Sequence, residues 1–354
     1  MADERLVRVA KFLIGKSASA KAGELVRVSA STEALPLATE CYKEILRRGA
    51  NPVMQVTVPE HGYWYYKLAN DRQLKYYPKH AEFLAKRLDA DLRIGGIANT
   101  KDLSSIDSKK IAITRKVADP LSKILLKKKW VLFHYPTNAL AQDAELSLPE
   151  FEDFVYNATL QDYRKINALG MRIKKRLDKA HNVRIIGKNT DLKFSVKGKN
   201  TVVAAGEHNV PDGEAFTAPV ETSAEGFIEY DYPAIYAGKE VSGIRLEFKK
   251  GKVVKASAQK NGELLKKLIK MDKGACRLGE LGIGTNPAIT RFTKQILFDE
   301  KMFGTVHLAL GNAYTECKGK NKSALHWDMI KDLRNGGKLL FDDKTIMKNG
   351  KFKI

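Results

Sequence analysis

Acidic residues are in short supply. The 354-residue chain holds 41 Asp and Glu against 62 Lys and Arg, which gives a formal charge of +21 and a pI near 9.6. Such a balance can mark a nucleic-acid or anionic-membrane partner. Here, however, the lysines come in twos and threes, as in Lys127-Lys128-Lys129, Lys174-Lys175, Lys249-Lys250 and Lys266-Lys267, with no long basic tail. Solvated helix faces and turns account for that scatter, so a nucleic-acid partner is not expected despite the charge. Cysteine is scarcer still. Cys41, Cys276 and Cys317 are far apart and odd in number, which argues against a disulfide framework and for buried thiols in a reducing, cytoplasmic setting. No apolar run reaches the roughly 18 residues of a membrane span, and "MADERLVRVAKFLIG" opens with charge and helical spacing instead of an apolar leader. The G-x-G-x-x-G of a dinucleotide site is absent after the first strand-like segment.

What is present is a chain long enough for two domains, each with its own core. The first half alternates helical and strand-like segments. A helical pattern over 4–16 precedes "ELVRVSA", helical "TEALPLATECYKEILRRGA", and "PVMQVTV"; then come "AEFLAKRLDA", "DLRIGGI", a basic helical stretch ending near Lys129, and "WVLFHYP". That alternation predicts an α/β domain over 1–160, a helix-flanked, mostly parallel sheet. Two helices are expected within 141–181: Ser147 and Glu150 form a capping box with Pro149 in the first turn, and an amphipathic segment over 161–181 links the domains. From 182 to 354 the texture changes to short alternating segments separated by Gly, Lys and Asn, which predicts an α+β domain with antiparallel sheet, including a hairpin in "LEFKKGKVVKA".

The chemistry-bearing residues lie in this second half. In "SALHWDMI" (323–330), strand alternation puts Leu325, Trp327 and Met329 on one side and His326 with Asp328 on the other. Taken alone, the pair reads first as a core histidine bonded to an aspartate. In "GTVHLALGNAY" (304–314), His307 shares its face with Ala309 and Gly311, small residues that leave room for something to approach. "NVPDGEAFTAP" has strong turn chemistry at Pro211-Asp212-Gly213, from which Glu214 emerges into an apolar stretch where a carboxylate needs a partner. In "RLGELGIGTNP", Glu280 sits among Gly279, Gly282 and Gly284, whose spacing is wrong for a nucleotide loop and predicts a tight turn. Together these give two glutamates, two histidines and an aspartate. Such ligands suit zinc, cobalt or manganese, and five of them exceed what one hydrolytic ion normally takes; two divalent ions sharing a carboxylate would use them fully.

These stretches, in this order, together with "WVLFHYPTNALAQDAELSLPEFEDF", resemble the thermophilic aminopeptidases of the aminopeptidase T and S type, which are dinuclear metallopeptidases. The resemblance covers nearly the whole chain. It implies that Glu214, Glu280, His307, His326 and Asp328 are metal ligands in the C-terminal domain and that Tyr314 is catalytic. It also implies a homodimer that releases N-terminal amino acids from peptides with a free N-terminus. In that chemistry Glu280 is the first candidate for shuttling a proton to the leaving amine, and the Tyr314 phenol can donate to the tetrahedral oxyanion. Glu207, Glu221 and Glu225 are candidates for holding the substrate's α-amino group. A related branch resembles iron-dependent ring-opening dioxygenases, for which His307, His326 and Asp328 around one Fe(II) would suffice. The presence of both Glu214 and Glu280 favours two ions.

Overall fold

The computed structural model describes residues 3–354. The chain forms two compact units, one running to Leu160 and including Gly206–Pro211, the other comprising Gln161–Ala205 and Asp212–Ile354. In the first unit five parallel strands lie in the order Asn51–Thr57, Leu25–Ser31, Ala90–Gly95, Lys129–His134, Asn209–Val210. Val26, Val28, Leu92, Ile94, Val131 and Phe133 are buried, as strands covered by helices require. The helices include Glu4–Phe12, Leu35–Arg47, Lys79–Arg87 and Ser108–Leu125. On the opposite strand face, Asp91 is wholly buried between the guanidinium groups of Arg27 (2.7 Å) and Arg93 (2.8 Å), so the one carboxylate inside the sheet is satisfied.

Ser147 caps the helix Leu148–Thr159 in a reciprocal capping box with Glu150. The second unit opens with the helix Tyr163–Leu177, capped by Asp162 and burying Ile166, Ile173 and Leu177. At Gly170 a side chain would collide with Val203, so the missing Cβ lets this helix settle on the sheet edge. Behind it lie two antiparallel sheets, one of eight strands and one of five. They share one core: Leu192, Phe194, Ile228 and Leu246 from the first meet Leu281, Ile283, Val306, Leu308, Leu310, Trp327 and Met329 from the second. Arg245–Lys249 and Lys252–Ser257 form the expected hairpin, turned by Lys250 and Gly251 at positive φ (49° and 76°). A parallel α/β unit followed by an antiparallel one is the architecture that the segment pattern predicts. Among the described residues no helix is long and apolar enough to cross a membrane.

Candidate metal centre

Four adjacent strands of the five-stranded sheet carry the centre: Glu214–Thr217, Leu278–Gly284, Thr305–Gly311 and His326–Asp332. Their apolar side chains take the core face, so by alternation Glu280, His307, His326 and Asp328 take the other. Cross-strand register then places a small residue beside each candidate ligand. Glu214 pairs with Gly284, His307 with Gly282, and His326 with Gly311, while Ala309 lies between Glu280 and Asp328. The glycines around Glu280 therefore do not form the expected tight turn. They lie in a fully buried strand, where close approach of neighbouring groups, not left-handed backbone, is what requires them. A Cβ at residue 282 would overlap the His307 ring. Because that ring is only 1% exposed it has nowhere to swing, and Gly282→Ala is expected to cost about 1–3 kcal/mol of stability and to lower metal content. Thermal melts with metal analysis of the purified variant check this; unchanged metal content would mean that the ring is not held where a ligand must be.

The structure brings all five candidates together. Glu214, Glu280 and His307 form one group whose ligand atoms lie within 4.8 Å of one another; Glu280, His326 and Asp328 form a second, and Glu280 belongs to both. The His307 Nε2 is 3.4 Å from Glu214 Oε2 and 3.7 Å from Glu280 Oε1, and the His326 Nε2 is 3.2 Å from Glu280 Oε2 and 3.5 Å from Asp328 Oδ2. Each imidazole turns its other nitrogen to a backbone carbonyl: Nδ1 of His307 to Glu300 (3.1 Å) and Nδ1 of His326 to Asn312 (2.9 Å). A carbonyl only accepts, so Nδ1 carries the proton and both Nε2 atoms point into the cluster. Tyr314 packs its ring on His326 (centroids 5.0 Å apart) and on Phe216 (5.7 Å).

Burial and mutual charge govern the protonation of the metal-free cluster. Burial would raise the Glu280 carboxyl, but the imidazoles of His307 and His326 facing its two oxygens bring it down. Burial also works against charge on the imidazoles, yet their carboxylate partners lift His307 to about 10 and His326 to about 9. Glu214 is pushed up to about 8 and Asp328 to about 6, chiefly by burial. Although 41% of Tyr314 remains exposed, partial desolvation and then the charges of Glu280 and Asp328 hold its phenol above the usual range, so it stays a donor at neutral pH.

Two participants escape sequence reasoning. Glu300 forms a third group with His307 and Asp328, and Lys301, wholly buried, lies 3.1 Å from Glu214 Oε1 and is hydrogen-bonded to Glu300. Three adjacent charged residues inside the otherwise apolar stretch "ILFDEKMF" were the available signal. Of the amine-binding candidates, Glu221 and Glu225 have partners outside the three ligand groups. Glu225 accepts from the backbone of Lys250 (2.7 Å), and Glu221 faces Lys199 (3.9 Å).

A family model described as thermophilic metalloprotease (M29) matches residues 2–352. The chain belongs to the thermophilic metalloprotease family M29. Among curated M29-like relatives, "Aminopeptidase 2" of Geobacillus stearothermophilus is 27% identical over an alignment of 381 positions, which spans 93% of this chain and 92% of the relative. Wild-type AmpT from Thermus thermophilus superposes with a TM-score of 0.86 at 23% identity, covering 99% of each chain. A 2,5-dihydroxypyridine dioxygenase from Pseudomonas putida reaches 0.64 at 16% identity, over 98% of this chain and 96% of its own. At such identities both structural likenesses speak to the fold alone. Membership of a metalloprotease family implies a divalent metal cofactor, and the cluster fits one. Glu214 Oε2 and Asp328 Oδ1 are buried without a hydrogen-bond partner, and two imidazoles oriented through Nδ1 aim ligand nitrogens at these two carboxylates.

Proposed function

We propose that this M29 protein is an aminopeptidase that hydrolyses the N-terminal residue from peptides at a centre of two divalent ions. The observation that carries the reading is Glu280, shared by two three-ligand groups on one sheet face. Glu214, Glu280 and His307 would hold one ion, and Glu280, His326 and Asp328 the other. When bound, such a pair supplies Lewis acidity to the scissile carbonyl and a nucleophilic water at neutral pH. The protein's own groups do the rest. Tyr314 donates its phenolic hydrogen to the oxyanion, and Glu280 carries a proton toward the leaving amine, with Glu300 a second carboxylate in the same cluster. The homodimer rests on the resemblance to the aminopeptidase T and S type.

The second reading, a mononuclear Fe(II) ring-opening dioxygenase using His307, His326 and Asp328, draws on the dioxygenase fold likeness. It leaves Glu214 Oε2 buried without a partner, which the two-ion reading does not.

The test is to strip the protein with chelator, titrate zinc, cobalt or manganese while counting bound ions, and follow hydrolysis of amino-acid arylamides. Activity rising as occupancy approaches two ions per chain is the expected result, with turnover retained under strict anaerobiosis. Stoichiometric metal without peptidase turnover, or turnover that needs oxygen, overturns the proposal.

The same titration has a pH signature. At pH 7 the metal-free cluster holds protons on His307 (about 10) and His326 (about 9), which ligation must expel, and burial favours the protonated form of Glu214 as well. Proton release of two to three per chain is therefore expected by calorimetry in buffers of different ionisation enthalpy, and affinity should weaken on acidification. The imidazole shifts also predict how metal-free stability varies. Both pKa values are raised from 6.5, so their contribution is complete below that pH and disappears as pH rises through about 9 and 10.

A further inference from the structure

Lys301 is 0% exposed, a place where a lysine is rarely found unless it is paired. It follows the short helix Ile296–Asp299 and precedes the His307 strand, and its ammonium meets two carboxylates at once: Glu214 Oε1 at 3.1 Å and Glu300 Oε1 in a hydrogen bond. The other oxygen of Glu214 has a different environment. Oε2 faces His307 Nε2 at 3.4 Å and has no hydrogen-bond partner. A carboxylate has two equivalent oxygens, and nothing in its own chemistry decides which one a metal receives.

We infer that Lys301 is a positioning residue of the metal centre. It engages one oxygen of Glu214 so that the other is presented beside His307, and it tethers Glu300 to the same point. This rests on the two-ion reading above and adds a role for a residue that is not itself a ligand. In the metal-free cluster its charge offsets part of the carboxylate excess. With both imidazoles neutral, Glu214, Glu280, Glu300 and Asp328 bring four negative charges and Lys301 one positive, a net of three negative. Two divalent ions would bring four positive charges and leave the loaded cluster at plus one, so the lysine acts on the carboxylates themselves and not as a counter-charge for the ions. Without it, two buried carboxylates would compete for protons or for the metal, and Glu214 would be free to rotate.

Lys301→Met and the wild type, both chelator-stripped and checked for folding by circular dichroism, should be titrated calorimetrically with zinc. The visible spectrum of each should be recorded with cobalt. Loss of a group that orients a metal ligand typically weakens affinity by about 10–100-fold. That drop for at least one ion, with a changed cobalt spectrum in a folded protein, is the expected result. A folded Lys301→Met that binds both ions with wild-type affinity and an unchanged spectrum overturns the inference. A zinc-loaded crystal structure of the wild type needs no variant: the ion must sit on the Glu214 oxygen facing away from Lys301, and an ion on the oxygen nearer Lys301 overturns the assignment. Should the wild type itself bind no second ion, the two-ion reading fails and this inference with it; wild-type binding with an indifferent Lys301 variant overturns this inference alone.

Discussion

Glu280→Gln should abolish peptidase turnover, by more than about 10³-fold, while leaving the fold in place. The side chain is 5% exposed, and its two oxygens approach the Nε2 atoms of His307 and His326 at 3.7 and 3.2 Å. Gln keeps the volume, so packing against Ala309 and the sheet core survives. It replaces one anionic oxygen with an NH₂ that can neither ligate a cation nor accept from an imidazole. Because Glu280 belongs to both ligand groups, a single substitution damages both, and bound metal should fall below two ions per chain. Arylamide hydrolysis, metal analysis and a thermal melt on the same preparation decide it. Near-normal activity would remove Glu280 from the bridging and the proton-carrying roles together.

Tyr314→Phe makes the complementary claim, that metal stays while rate goes. The ring contacts with His326 and Phe216 are kept by Phe, so the cluster should load as in the wild type. What disappears is one hydroxyl, held protonated by partial desolvation and by the nearby carboxylates. Removing one neutral donor to a developing oxyanion typically costs about 10²–10³ in kcat, roughly 3–4 kcal/mol. The expected pattern is therefore a large loss in kcat, a small change in KM and unchanged metal stoichiometry. Loss of metal along with rate would instead give Tyr314 a structural part, as a support for His326.

Much of the site was legible because strands convert spacing into direction. His326 and Asp328 are two apart, so alternation alone puts them on one side, and the structure brings their side chains to 3.5 Å. His307 with Ala309 and Gly311 reads the same way. Glu280 was visible as a carboxylate among leucines, but its glycines were misread, because a sequence does not show what stands opposite. Only with the register in hand does each glycine become the gap beside a neighbour's functional side chain. Glu300 and Lys301 were missed for a related reason. They lie on no periodic strand, and their adjacent opposite charges read as an ordinary solvated pair until burial is known. In the first unit, local patterning sufficed: "PVMQVTV" and "WVLFHYP" are strands at nearly their expected limits, and parallel order follows from the helices between them.

The excursion of Gly206–Pro211 into the first unit has a consequence for how such a protein can be taken apart. Asn209–Val210 completes the parallel sheet beside Lys129–His134, and Glu214 follows only four residues after Val210. A single cut near residue 160 therefore does not separate two self-sufficient pieces, since the C-terminal fragment would keep a strand whose partner has been removed. Exchange of either half between relatives by recombination would need three matched junctions. Inheritance as one indivisible block is the expected mode for this architecture.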